Sequence, residues 1–143
     1  MKRVLIATSV FALVLAGLFV ALSCGGGQSQ SQLTSVAVNP PTADAQNYPN
    51  GEVPFVATGY YVDPDHTVTP LTTAWWTACS GNGPTTDIVL NQSGTAQCAS
   101  GARGTYSITA TAPTTARECP AITSCGVVVG GCVVNGIAQL TCP

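Results

Sequence analysis

Glu52-Val53-Pro54-Phe55-Val56-Ala57-Thr58-Gly59-Tyr60-Tyr61-Val62 decides the fold class. In an extended chain Phe55, Ala57, Gly59 and Tyr61 share one face and Thr58 and Tyr60 the other, the two-residue period of a strand. Pro49-Asn50-Gly51 before this run and Asp63-Pro64-Asp65-His66 after it are turn signals. Shorter segments flank it at regular intervals. Residues 33–39 carry Val36 and Val38 on one face before Pro40-Pro41 ends the strand. Residues 45–48 read as a short edge piece, and residues 67–71, 74–79, 87–91 and 94–99 as further strands. Residues 104–111 close the pattern, with Tyr106, Ile108 and Ala110 alternating against Thr105, Ser107, Thr109 and Thr111. No stretch after the first 23 residues has a helical period. About seven short strands with regularly spaced turns predict an all-β sandwich.

Composition narrows the function classes. The chain has 143 residues, of which 7% are charged and 45% hydrophobic. Low charge with this much apolar content belongs to a folded domain, because disordered chains combine high charge with low hydrophobicity. Lys2 and Arg3 lie at the extreme N-terminus, leaving Arg103 and Arg117 as the only other basic residues. Two cations cannot lay an electrostatic footprint on a phosphate backbone, which excludes nucleic acid as a partner.

The N-terminus reads as an export signal. Lys2 and Arg3 precede an uncharged run over residues 4–22, and small Ser23 stands before Cys24. This layout makes residues 1–23 a secretory signal. Cys24 resembles the cysteine of the bacterial lipobox, which is lipidated and becomes the new N-terminus. Ala21 stands where that motif prefers Leu, so an uncleaved anchor stays open beside it; residues 4–22 are long enough to span a bilayer. Either way the positive residues stay inside and the rest of the chain lies outside the cytoplasm. Residues 24–32, rich in Gly, Ser and Gln, form a flexible tether. The expected location is the bacterial cell envelope, lipid-anchored at the outer membrane or cell surface, with the membrane as a partner.

Six further cysteines follow: Cys79, Cys98, Cys119, Cys125, Cys132 and Cys142. An even number in an exported chain reads as disulfides. Zinc is disfavoured, because no CxxC spacing occurs and His66 is the only histidine. Six cysteines permit fifteen pairings and sequence does not choose among them. The expectation is that Cys79 pairs with Cys98, inside the β region, and the last four among themselves.

Four segments resemble a known family. Leu33-Thr34-Ser35-Val36-Ala37-Val38-Asn39-Pro40 is similar to the opening strand of bacterial immunoglobulin-like domains of group 2, the type found in invasins and intimins. Residues 53–63 resemble their second strand and its Asp turn. Trp75 or Trp76 matches their strand tryptophan, and Gly104-Thr105-Tyr106-Ser107-Ile108-Thr109-Ala110-Thr111 resembles their closing strand. The resemblance covers residues 33–113 and implies an immunoglobulin-like β-sandwich in a non-catalytic role. The Cys79 and Cys98 pair is not part of the family pattern. Residues 114–143, a Cys-rich tail, lie outside it. In that tail Asn135-Gly136 is a two-residue hairpin signal, which would set Val134 opposite Ile137 and Cys132 opposite Gln139. The tail either extends one sheet of the sandwich or forms a small stapled cap.

Candidate sites are few. Asp63, Asp65 and His66 form the densest polar cluster. Asp63 and Asp65 could begin a calcium loop, since hard cations take carboxylates. An Asp-Pro turn explains them more simply. No serine sits in a nucleophile elbow and His66 has no nucleophile partner, so no enzyme and no cofactor are expected. Of Trp75 and Trp76, strand alternation sends one inward and one outward. The outward ring, with Tyr60, could form a platform for a sugar or a partner protein. A cross-strand contact, or cover by the Cys-rich tail, outweighs that reading. The sequon Asn91-Gln92-Ser93 reads as coincidence in a bacterial lipoprotein. The expected function is therefore an envelope module for adhesion, structural or protein–protein contact, with glycan binding as the alternative.

Overall fold

The computed structural model describes residues 31–62, 67–81, 83–115, 119, 124–126, 128 and 131–143. These residues form strands and two single-turn 3-10 segments. Strands β1 (Gln32–Asn39), β4 (Val56–Val62) and β5 (Val68–Pro70) make one antiparallel sheet in the order β1-β4-β5. Strands β3 (Glu52–Pro54), β9 (Thr95–Cys98) and β8 (Ile88–Leu90) make a second, in the order β3-β9-β8. The third has five strands: β2 (Thr42–Asp44), β11 (Val133–Cys142), β10 (Gly104–Pro113), β6 (Trp75–Ser80) and β7 (Gly83–Pro84), in that order.

The decisive run of sequence is extended throughout but changes sheet at Phe55. There the Phe55 N–H leaves the strand ladders and donates to the Gly94 carbonyl at 3.0 Å. Before the break β3 pairs with β9, and after it β4 pairs with β1 and β5. One stretch of chain thus stitches the two three-stranded sheets into a layer that faces the five-stranded sheet. Between them lies a single core, with Leu33, Val36, Val38, Val53, Phe55 and Ala57 from one side and Ala78, Ile108, Ala110, Ala138 and Leu140 from the other. Each large apolar side chain buried here contributes roughly 1.5–3 kcal/mol.

Three expectations are corrected. The edge piece expected at residues 45–48 lies earlier, at β2, which runs parallel to β11. Ala45–Asn47 is a 3-10 turn instead, because Asp44 Oδ1 accepts from the Gln46 N–H at 3.0 Å and caps it. The Asn135-Gly136 hairpin does not form: β11 runs unbroken along β10, from Val133 opposite Pro113 to Cys142 opposite Gly104. Gly136 answers to packing rather than to a turn. A Cβ at this position would lie 2.4 Å from the Val36 carbonyl oxygen, so only glycine lets β11 approach β1 this closely. The Asn135 side chain accepts from the Val128 N–H at 3.0 Å and donates to the Gly126 carbonyl. Of the two outcomes open for the tail, its last strand extends a sheet.

The third correction concerns the disulfides, which join Cys79 to Cys125, Cys98 to Cys142 and Cys119 to Cys132, with Cα separations of 5.6, 5.9 and 5.9 Å. Cys79 cannot meet Cys98, because the two sit in different sheets and alternation turns them opposite ways. Cys98 pairs across with Ile88 and points into the core, whereas Cys79 lies on the face of β6 opposite to core residue Ala78. The Cys98–Cys142 bridge therefore ties the two layers together. Cys79–Cys125 ties the tail to the outer face of the five-stranded sheet. That face is buried along part of β10, where Thr109 and Thr111 are both 0% exposed.

Gly136→Ala should destabilise the domain by roughly 1–3 kcal/mol through overpacking, and Gly136→Val by more, read from urea unfolding midpoints. Replacing Cys98 and Cys142 together by Ala should cost about 2–5 kcal/mol. Removing Cys119–Cys132 should cost less, because its sequence separation is 13 residues rather than 44.

Candidate functional site

Strand β6 sets its two tryptophans on opposite faces. Trp76 pairs with core residue Ala110 and packs against the core, while Trp75 lies opposite Thr111 on the outer face of the five-stranded sheet. Both are half-buried. Tyr60 lies on the outer face of the β1-β4-β5 sheet, where it is 41% exposed. The structure does not bring Trp75 and Tyr60 together, so they form no common platform.

It is the inward tryptophan that reaches an opening. Beside Trp76, where the chain changes sheet at Phe55, lies a cleft of about 320 Å³. Phe55, Ala57, Pro70 and Leu71 supply apolar lining, and the exposed residues Thr72, Gln92 and Ser93 supply polar groups. The 91–95 turn that presents Gln92 and Ser93 is firmly held. Asn91 Oδ1 accepts from Ser93 N at 3.0 Å, Ser93 Oγ at 2.7 Å and Thr95 N at 2.9 Å. Gly94 closes the turn with φ +88°, where a Cβ would lie 2.4 Å from the Phe55 carbonyl oxygen and 2.7 Å from the Trp76 ring. The Asn91-Gln92-Ser93 triplet, read from sequence as a chance sequon, is thus a locked turn beside an aromatic ring. Its signal was the Asn and Gly that bracket Gln92 and Ser93.

Among the described residues that line this cleft, none is titratable. An aromatic ring, one amide and two hydroxyls can orient a polar, uncharged ligand. Asp63, Asp65 and His66, the calcium and acid–base candidates, lie outside the described residues. Among the described residues no three His, Cys, Asp or Glu side chains gather as a metal site. Cys24, the lipidation candidate, also lies outside them.

Among the described residues, one titratable group is shifted from its ordinary value, near the start of β10. Tyr106 is buried, and its Oη lies 3.2 Å from both Asp87 Oδ2 and the Arg103 carbonyl, so its single proton is shared between two acceptors. Burial, and then the Asp87 carboxylate, push the phenol above its ordinary value, against a smaller opposing effect of the Arg103 carbonyl. This pair fastens the β8 side of one layer to β10 in the other, close to the Cys98–Cys142 bridge. It is structural rather than catalytic, since the phenol faces protein on every bond it makes.

Compared with known proteins, the chain matches no family model and no curated sequence. The three disulfides fit a chain that folds in an oxidising environment outside the cytoplasm. No helix among the described residues is long and apolar enough to cross a membrane.

A phenol whose folded value is raised stabilises the fold fully below the ordinary tyrosine value, and that contribution is lost as pH climbs through the raised one. The melting temperature should therefore hold up to about pH 10 and then fall. Tyr106→Phe should melt lower at neutral pH and show a shallower alkaline fall, followed by circular dichroism.

Proposed function

We propose that this chain is a cell-envelope lipoprotein, anchored through lipid on Cys24, whose body is a non-catalytic immunoglobulin-like module of the bacterial group 2 type. Its role is adhesion, structural support or protein–protein contact. The observation that carries the fold assignment is the surroundings of β10. In immunoglobulin-like sandwiches the strand before the last one lies between the last strand and an earlier one that carries a core tryptophan. A tyrosine near its start bonds back to backbone a few residues upstream. Here β10 lies between β11 and β6, Trp76 on β6 packs against the core, and Tyr106 reaches back to the Arg103 carbonyl. Three of the four sequence segments similar to the family fit the same reading, whereas residues 104–111, similar to the family's closing strand, form here the strand before the last. The contact role is supported by the nature of the surface: a disulfide-tied frame, a cleft without titratable lining, and an outer sheet face that exposes valines and a tyrosine.

The anchor is tested by intact mass spectrometry of protein extracted from native membranes. A mass beginning at a lipid-modified Cys24, with three disulfides, is expected, and Cys24→Ser should move the protein to the soluble fraction. A mass that retains residues 1–23 would replace the lipid anchor by an uncleaved helix.

One observation favours glycan binding as a second reading. The Trp76 cleft offers an aromatic ring beside Thr72, Gln92 and Ser93, the combination of apolar contact and hydrogen bonding that suits an uncharged sugar. Retardation on immobilised cell-wall polysaccharide should then disappear in Gln92→Ala, an exposed change that spares the fold, and survive Tyr60→Ala. Absence of retardation in the native protein would leave the contact role alone.

A further inference from the structure

The large apolar side chains that the described residues expose are Val56, Tyr60, Val62, Val68 and Val89. They are not scattered, for the first four share one face. Along β4 alternation buries Ala57 and Gly59 and turns Val56, Thr58, Tyr60 and Val62 outward. On one side the register sets Gln32 beside Val62, Ser35 beside Tyr60, Ala37 beside Thr58 and Asn39 beside Val56. On the other side Val68 lies beside Tyr60 and Pro70 beside Thr58. No charged residue is among those that β1, β4 and β5 turn outward. Isolated exposed valines need no explanation, but a contiguous uncharged cluster around a tyrosine marks a surface with a partner.

We propose that this face rests on a lipid bilayer, which deepens the anchored-lipoprotein reading and rests on it. Three observations point to lipid. Tyrosine among aliphatic side chains is the composition that settles at a water–lipid boundary, with the ring in the apolar region and the hydroxyl wet. The chain enters the domain at this face, since Gln32 at the start of β1 pairs with Val62 at its rim. Cys24 precedes Gln32 by eight residues, which span at most about 29 Å when extended. A tether this short holds the face beside the membrane at high effective concentration, so a modest apolar patch suffices to seat it. With only two basic residues beyond the signal, the contact is made by apolar side chains rather than by attraction to anionic headgroups.

The test uses the protein extracted with its own anchor and reconstituted in phosphatidylcholine vesicles whose acyl chains carry bromine, a contact quencher of indole fluorescence. Tyr60→Trp adds an indole at the centre of the face. The emission added by this substitution should be lost in brominated vesicles, while the emission of Trp75 and Trp76 is retained. The loss should persist at high salt and be unchanged when phosphatidylglycerol replaces part of the phosphatidylcholine. Val62→Lys with Val68→Lys, both on exposed positions, should restore the emission while the protein still floats with the vesicles. Flotation without quenching would overturn the proposal and leave the anchor standing. An indole shielded but unquenched, in a protein that crosslinks as a dimer, would assign the face to a second copy and overturn it likewise. Failure to float would overturn the anchored reading and this proposal with it.

Discussion

Strand β10 is hydrogen-bonded on both sides, to β6 and to β11, and its inner and part of its outer face are shielded from water. A backbone in that position has no solvent to fall back on, so each of its N–H and C=O groups must find a partner within the sheet. The ten-residue register with β11 meets this requirement along the full length of the strand. Without β11, the middle of the five-stranded sheet would become an open edge, β2 would lose its only neighbour, and Cys98 would lose the partner that joins the layers. The Cys-rich tail is thus no appendage. Its last strand completes the sheet on which the rest is assembled.

The small side chains of the core follow from the same geometry. Ala57, Ala78, Ala96, Ala110, Ala112 and Ala138 are all buried, and Gly136 meets the backbone of β1 directly. Layers that approach this closely leave little room for large side chains, so the core has fewer of them than a sandwich of this length could hold. Three disulfides offset that shortage, one across the layers, one from the five-stranded sheet to the tail, and one within the tail. The outer face of β10 shows a cost of the tail's cover. The hydroxyls of Thr77, Thr109 and Thr111 are buried without a hydrogen-bond partner among the described residues. An unsatisfied buried hydroxyl costs about 1–3 kcal/mol.

Much of the fold was legible because strand alternation is a local signal. The inward set Phe55, Ala57 and Gly59 and the inward set Tyr106, Ile108 and Ala110 follow from a period of two and from nothing distant. Two of the three misreadings depend on contacts far apart in sequence, whereas the one at residues 45–48 turns on the local cap that Asp44 places on Gln46. Asn135-Gly136 has the composition of a tight turn, and only the approach of Val36 explains why glycine is needed there. The pairing of Cys79 with Cys125 depends on which face each strand turns outward and on where the tail passes. Of the candidate site, the aromatic pair was visible, but which tryptophan opens to a cleft depended on the chain's change of sheet at Phe55. Tyr106 was read only as a core position, because its acceptors Asp87 and Arg103 come together through the register of two layers.

The position of β11 has a consequence for how such a chain is made. Of the described strands the latest in chain order, β11, is seated between β2 and β10 rather than at an edge. Synthesis proceeds from the N-terminus, so β1 through β10 emerge before β11, with the middle of their sheet unfilled and with Cys98 lacking its native partner. A strand edge exposed in this way is a template for pairing with other chains. Assembly dominated by contacts distant in sequence is also slow. The low hydrophobic bulk of β10's outward residues, Thr105, Ser107, Thr109 and Thr111, makes the waiting intermediate less adhesive than a valine-rich strand would be. Thr109 and Thr111, whose hydroxyls find no partner among the described residues once the tail closes over them, are well solvated until it does.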